Sequence, residues 1–466
     1  MISFKDNLKN GIAVGEVVSV NSIFCEVRGF RNLKAGSQIL FESNSRGFVN
    51  EIKDDISKII LIEDRGIVPG QMALILKDKL TVSFSLNTLG RVINVFGEPL
   101  DGKGKILDTE DLGMFKEAPS IIQRDDIKKQ IETGNIVVDT LFPLAFGQRE
   151  VILGDNKTGK TTFLVDLIRN QKDKALIVYV LIGKTNDQVS NIITSLEESK
   201  ALAYSIVLVA KAELLPTETY LAPFSGCSIG EALWNMGKDV IIVYDDLTEH
   251  AKSYREISLT EGVFPGKDSY PADVFSLHSR LLERSGRVKD NEGSLTALPI
   301  ISVQNNDFTG YIPTNVISIT DGQLFFDRDL FLKGLRPAIN TGISVSRIGK
   351  RVQEIFMQSL SEKLNIALIK YAQAYKFSHF GANMPPSVLA DLDRGEKINI
   401  LFNQNIGESY TLSEQKVLIT VVLSNYMNIK IEDVYKMKRN IKKVENISDF
   451  KEQDVNNQKL MEFLLS

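Results

Sequence analysis

Val151-Ile152-Leu153, Gly154-Asp155-Asn156-Lys157-Thr158-Gly159-Lys160-Thr161 and Thr162-Phe163-Leu164-Val165-Asp166-Leu167-Ile168 follow one another without a break, and their reading decides the fold. The middle eight residues fit G-x-x-x-x-G-K-[ST], a phosphate-binding loop. The apolar run before it predicts a strand and the run after it a helix. That order suits the chemistry. Backbone N–H groups of the turn and of the helix start converge on phosphate oxygens, and the helix dipole adds positive character there. Lys160 is expected to reach the β- and γ-phosphates, and Thr161 to ligate Mg²⁺. Gly154, Asn156, Lys157, Thr158, Gly159, Lys160, Thr161 and Thr162 are thus candidate contacts to ATP or ADP. Binding does not imply hydrolysis, which needs further groups.

Working outward, 466 residues suffice for roughly three domains. Hydrophobic and charged contents of 43% and 24% are those of a globular protein, and the net charge of −4 gives no electrostatic case for a nucleic acid or anionic lipid partner. Cys25 and Cys227 both sit in apolar text and read as buried thiols in a reducing compartment. His250, His278 and His379 are scattered, which argues against zinc. No apolar run approaches the ~18 residues of a membrane helix, and the first residues carry no signal-peptide core. The expectation is a cytoplasmic chain that meets a membrane only through other subunits.

Residues 1–78 are short apolar runs broken by glycine and charge. Gly11 to Val20, Ile23 to Val27, Gly47 to Val49, Ile59 to Ile62 and Met72 to Leu76 predict the strands of a small barrel. Residues 79–353 alternate strand-like and helical runs, with strands over Ala175 to Ile182, Ser205 to Val209 and Val240 to Tyr244, so the class is α/β with a mainly parallel sheet. Residues 354–466 predict a helical domain. Phe356, Leu360, Leu364 and Leu368 form its core-facing stripe, and Lys436 to Lys443 a solvated basic face.

Val240-Ile241-Ile242-Val243-Tyr244 ends in Asp245-Asp246. A strand-terminal Asp downstream of a phosphate loop is expected to hold Mg²⁺ through water, and Asp245 is the stronger candidate. Around it stand Ser253-Tyr254-Arg255-Glu256-Ile257-Ser258-Leu259, Tyr270-Pro271-Ala272-Asp273-Val274-Phe275-Ser276-Leu277-His278-Ser279-Arg280 and Gly334-Leu335-Arg336-Pro337-Ala338-Ile339-Asn340-Thr341-Gly342-Ile343-Ser344-Val345-Ser346-Arg347-Ile348-Gly349. These stretches closely resemble the alpha subunits of F-type ATP synthases, from about Gly11 to about Val422. The resemblance implies a β-barrel, a nucleotide-binding domain and a helical domain in that order. It also implies a three-plus-three ring with catalytic beta-type chains around a gamma-type central shaft. Adenine contacts would fall on Phe331, Arg336, Pro337 and Gln404. Catalytic beta chains carry a Glu that polarises the attacking water. Here Leu181-Ile182-Gly183-Lys184-Thr185 puts Lys184 at that position, where alpha chains usually have Gln. A charged lysine cannot accept the proton, though it could attract a γ-phosphate. Phe377-Ser378-His379-Phe380-Gly381 replaces the acidic segment of beta chains. The resemblance therefore implies a non-catalytic ATP site, with Arg347 as an arginine finger acting in trans on the neighbouring beta-type site.

Three departures bear on the transfer. The family's N-terminal arm is reduced to a stub at most, which questions the usual stator attachment. The family's Arg-Gln in the loop is Asn156-Lys157, and its Arg-Arg-Pro-Pro stretch is Thr260-Glu261-Gly262-Val263-Phe264-Pro265. Residues after about 423 match poorly. With frequent Lys, Asn and Ile, the chain resembles a diverged paralogue of the F-type-like ATPases of mollicute bacteria, some linked to surface motility. ATP synthesis or hydrolysis coupled to ion transport, or to mechanical work, is therefore the expected output. The alternatives are a structural ring subunit and a hexameric export or helicase-type ATPase. The acidic balance and Lys184 count against the last of these.

Overall fold

The computed structural model describes residues 4–8, 14–378, 384–424, 429–444 and 458–465. His379 and the end of the Phe377–Gly381 stretch lie outside the described residues, as do Gly11 to Ala13. The chain forms two compact units. One comprises Met1–Asp125, Lys174–Ser302 and Thr309–Thr320; the other comprises Asp126–Asp173, Val303–Phe308 and Asp321–Ser466.

The first unit opens with a closed barrel of β1 (Val14–Asn21), β2 (Phe24–Arg28), β3 (Gln38–Phe41), β4 (Arg46–Lys53), β5 (Ile56–Glu63) and β6 (Met72–Lys77), in the order β1-β2-β5-β4-β3-β6. Alternation explains β1, whose Gly15 and Val17 point inward between exposed Val14, Glu16 and Val18. The barrel core gathers Val17, Cys25, Val27, Ile39, Phe41, Ile59 and Leu61. Burial there pushes the Cys25 thiol up to about 12, which makes it inert. The sequence reading lacks β3. All four of its residues are buried, so it shows no alternation. Its outer side is covered by Phe4, which packs on Leu40 and Leu74.

The same unit holds five parallel strands in the order Val92–Ile93, Ser205–Lys211, Leu176–Lys184, Asp239–Asp245, Ser294–Val303. Ile177 to Ile182 and Val240 to Tyr244 are all fully buried, as expected for a sheet covered on both faces. The helix Pro216–Asn235 packs on it. Gly226 lies so close to Val180 that a Cβ would stand 2.3 Å from Cγ2. Arg284, 1% exposed, is anchored at this helix. Its Nε and Nη2 donate to the two carboxylate oxygens of Glu231 at 2.6 and 2.8 Å, Nη1 donates to the Met114 carbonyl, and Nη2 also donates to Ser228 Oγ. Cys227, on the same helix, is fully buried, as expected.

In the second unit, Val151–Asp155 pairs in parallel with Gly322–Phe326, and Val345–Ser346 adds an antiparallel edge. The helices Ile355–Ser378, Pro386–Phe402, Leu412–Leu423 and Ile431–Asn440 follow. Leu360 and Leu364 are buried as the periodicity predicts, each contributing about 1.5–3 kcal/mol. The buried stripe is completed by Met357 and Ala367, whereas Phe356 and Leu368 are only half-buried. The basic tail departs from expectation. Lys438 is buried, pairs with Glu408 at 3.1 Å and lies on the same helix as buried Val434 and Met437. A charge counterpart 30 residues away turned part of a solvated face into packing.

Two outcomes follow. Arg284→Leu removes both guanidinium donors from the Glu231 carboxylate, leaving it only Lys116 at 3.2 Å from one oxygen, and is expected to cost about 3 kcal/mol in urea unfolding. The second concerns His250 and His278, both fully buried, with His250 Nδ1 3.1 Å from His278 Nε2 and the His250 ring stacked on Tyr220. Burial, with the neighbouring imidazole, holds His250 well below 6.5, and burial lowers His278 to about 4. The unfolded chain binds more protons below pH 6.5, so this contribution to stability falls as pH drops through 6.5, and the part due to His278 levels off near 4. The loss from His278 is on the order of 3 kcal/mol. Relative to its own value at pH 7, His278→Gln should show a shallower decline of urea midpoint with acidification than the parent chain.

Candidate functional site

Gly154 sits at the mouth of Val151–Asp155 with φ +156; a Cβ there would meet the Phe326 carbonyl oxygen at 2.5 Å, so no larger residue fits. Gly159, at φ +92, is the left-handed residue that starts the helix Lys160–Arg169. Between them the loop is self-bonded. Thr158 Oγ1 donates to the Asp155 carbonyl at 2.8 Å. Lys160 Nζ donates to the Gly154 and Asp155 carbonyls at 2.6 and 2.7 Å. The lysine expected at phosphates thus also closes its own loop. Asn156, Lys157, Thr161 and Thr162 are exposed around the turn and first helical turn.

Beside the loop lies a cavity of about 470 Å³ lined by Asn156, Lys157, Thr158, Asn305, Arg328 and Phe331, among others. Phe331 is therefore brought to the loop. The Arg336 guanidinium lies 3.5 Å over its ring and donates to the Phe331 and Leu335 carbonyls, which sets the ring's position. Pro337 continues this segment. Gln404 is joined to it through its backbone N–H, which donates to the Arg336 carbonyl at 2.6 Å. The Gln404 side chain is committed to protein. Its oxygen accepts from the Ile136 N–H, and its nitrogen donates to the Gly134 and Glu408 carbonyls.

Asp155, Asn305 and Arg328 are cavity residues that the sequence alone does not single out. Asp155 accepts the Asn305 and Asn306 N–H groups at 3.1 and 3.0 Å, and Arg328 stands 3.8 Å away. A carboxylate directly after a buried strand is a legible signal, but its partners are 150 residues distant in sequence.

Arg347 is exposed, outside the lining of that cavity. Its base is held tightly. The Arg347 N–H donates to the Asp321 carbonyl, Asp321 is gripped bidentately by Arg149, and the Ser346 hydroxyl donates to the Pro143 carbonyl at 2.7 Å. Nearby Glu150 is fully buried, and its carboxyl is held well above the usual range by burial and by Asp321, with Gln148 and Arg347 opposing.

Asp245 belongs to the first unit. It closes Asp239–Asp245 and is 3% exposed. Its Oδ2 accepts the Tyr179 hydroxyl at 3.0 Å, and its Oδ1 lies 2.5 Å from Lys184 Nζ. Asp246 has a different role. Its Oδ1 accepts the Glu249 N–H, capping the helix Leu247–Glu261, and its Oδ2 accepts the Ser302 hydroxyl and lies 3.5 Å from Lys184 Nζ. Burial lowers the Lys184 pKa, the two carboxylates raise it, and the carboxylates prevail, so the ammonium stays charged. No cluster of three potential metal-ligating side chains occurs among the described residues. None of the described helices is long and apolar enough to cross a membrane.

A strand, a glycine-closed phosphate loop and a helix, with parallel strands ending in carboxylates, define a phosphate-loop nucleotide-binding fold. Residues 134–346 match the nucleotide-binding domain of the ATP synthase alpha/beta family, and residues 353–462 match the C-terminal domain of its alpha/beta chains. The chain is 40% identical to the ATP synthase subunit alpha of Rickettsia canadensis (strain McKiel), over 89% of this chain and 83% of that one. It is 37% identical to the subunit alpha of Orientia tsutsugamushi (strain Ikeda), over 91% and 85%. The chain belongs to the ATP synthase alpha/beta family.

Asp155→Ala removes a charged acceptor from two backbone donors. The expected cost is about 1–3 kcal/mol in thermal or urea unfolding, together with weaker nucleotide binding through a loosened 305–306 wall. Unchanged stability would show that the Asn305 and Asn306 donors find other acceptors.

Proposed function

We propose that this chain is the non-catalytic, ATP-binding alpha-type subunit of a hexameric rotary ATPase, with catalytic beta-type subunits alternating around a gamma-type shaft. The observation that carries the non-catalytic half is Lys184. The residue at the position of the catalytic carboxylate is a cation locked onto Asp245 and Asp246. It has no free lone pair with which to accept a proton from water.

ATP or ADP is proposed to lie on Gly154 to Thr162, with its base toward Phe331. Arg336 and Pro337 support that ring, and Gln404 braces them from behind. Lys160 exchanges its loop carbonyls for phosphate oxygens, and backbone N–H groups of the helix start complete the cradle. The resemblance assigns Mg²⁺ to Thr161 and, through water, to Asp245. The donor set at Asp245 does not fit a divalent ion, because both its oxygens are engaged and one already faces a cation. The chemistry proposed here therefore rests on the protein's own charges.

Arg347 is proposed as the finger supplied in trans. Phosphoryl transfer leaves charge on equatorial oxygens that a positioned guanidinium stabilises. Its backbone is anchored and its side chain is exposed, as a group reaching toward a neighbour requires. The barrel, nucleotide-binding and helical domains are proposed to span 1–78, 79–353 and 354–466. The complex is proposed to sit at the inner face of the cell membrane through other subunits. Its output is ATP synthesis or hydrolysis coupled to ion transport or, alternatively, mechanical work such as gliding.

ATPase turnover tests this in three samples: the chain alone, the chain with its beta-type partner, and Arg347→Ala with the same partner. The expected result is no turnover alone, turnover in the complex, and a fall of about 10³-fold or more in the Arg347→Ala complex. Substantial turnover by the chain alone would overturn the non-catalytic assignment.

A further inference from the structure

Glu150 stands one residue before the strand Val151–Asp155 and is fully buried, yet it lines no part of the cavity beside the phosphate loop. Its Oε2 accepts the Gln148 amide at 2.6 Å. Its Oε1 is buried without a hydrogen-bond partner. Asp321 adds a like charge nearby and Arg347 the opposite one. Arg149, the neighbour in sequence, is spent on Asp321, to which it donates from Nε and Nη2 at 3.1 and 2.8 Å. An ionised Glu150 would carry a bare buried oxygen near another carboxylate, so the surroundings favour the neutral acid. Gly322 makes room for it: a Cβ there would stand 2.5 and 2.8 Å from the two carboxyl oxygens.

The Gln148 amide carries the link onward. Its oxygen accepts the Ala145 N–H at 3.0 Å, and its nitrogen donates to Glu150 Oε2 and, at 3.1 Å, to Ser346 Oγ. The Ser346 hydroxyl in turn donates to the Pro143 carbonyl. Ser346 precedes Arg347, and all of these residues lie in one compact unit. We propose that Glu150 is a positioning residue for Arg347. Through Gln148 it fixes the Ser346 end of the edge strand. As an uncharged acid it offers the Arg347 guanidinium no buried counter-ion to fold back onto, so the exposed side chain stays directed outward.

The inference rests on Arg347 acting in trans, and the test separates the two. Steady-state ATPase is measured on the full chain assembled with its beta-type partner. The samples are the parent, Glu150→Leu, Glu150→Gln, Ser346→Ala, Arg347→Ala and the double variant Glu150→Leu/Arg347→Ala, with gel filtration and thermal melting to establish assembly. Glu150→Leu should lower kcat ~10-fold with KM changed by less than ~2-fold, because a displaced finger weakens the transition state and not ATP binding. Glu150→Gln keeps an acceptor for Gln148 without a charge and should recover most of that loss. The double variant should be no slower than Arg347→Ala, since both changes act through one group. Ser346→Ala breaks the same link and should lower kcat ~3-fold or more at unchanged KM, which decides the matter where Glu150→Leu does not assemble. A collapse in Arg347→Ala with parent-like kcat in Glu150→Leu or Ser346→Ala overturns the positioning role and leaves the finger intact. So does a Glu150→Gln complex as slow as Glu150→Leu, or a double variant slower than Arg347→Ala by the full Glu150→Leu factor. Unchanged turnover in Arg347→Ala overturns the finger and the positioning role together.

Discussion

A carboxylate at the buried end of a strand has to be answered by donors or by a cation, and much of this molecule is arranged to do so. Asp155 is answered by two backbone N–H groups of the 305–306 turn and by Arg328. Asp245 is answered by a phenol and an ammonium. The same demand holds inside a helix: Asp139, fully buried in Ile136–Leu141, collects the Thr133 N–H and hydroxyl, the Gly134 N–H and the Gln415 amide; burial still raises its carboxyl to about 6 despite them. In each case at least one answering group comes from a distant part of the chain. Satisfying the carboxylate fixes where that part runs.

The same constraint separates what was legible in the sequence from what was not. Strands buried on both faces announce themselves as apolar runs, so Val151–Asp155, Leu176–Lys184 and Asp239–Asp245 were legible almost to the residue. The loop glycines were legible because sterics leave nothing else at Gly154. β3 was not, because a four-residue strand starting with Gln and covered by distant Phe4 carries no period. The burial of Lys438 and the commitment of the Gln404 amide to three backbone groups were not legible either. Both depend on partners that only the folded chain brings near.

Lys184 falls between these cases. Its charge, and hence its inability to act as a base, could be read directly from the sequence. Its destination could not. A free lysine near phosphates would suggest attraction of a γ-phosphate, yet two carboxylates one strand away compete for it at contact distance. Charge-assisted bonds between buried groups are short and exacting in geometry, so the nearest pre-positioned carboxylate prevails.

On the proposed reading, an intact phosphate loop combined with a missing base is a coherent design. Catalysis requires interactions stronger in the transition state than in the ground state. A cradle of loop N–H groups and Lys160, lacking a proton acceptor, holds nucleotide in its ground state and has no means of lowering the barrier to water attack. Such a bound nucleotide acts as a linked ligand. At a concentration 100 times its dissociation constant it stabilises the form that binds it by about 2.7 kcal/mol. Asp155, the Arg336–Phe331 stack and the Gln404 brace then matter chiefly for how firmly that ligand is held. Arg347 stands outside the cavity lining, so the affinity of the chain's own site and the chemistry assigned to its neighbour's are carried by different residues.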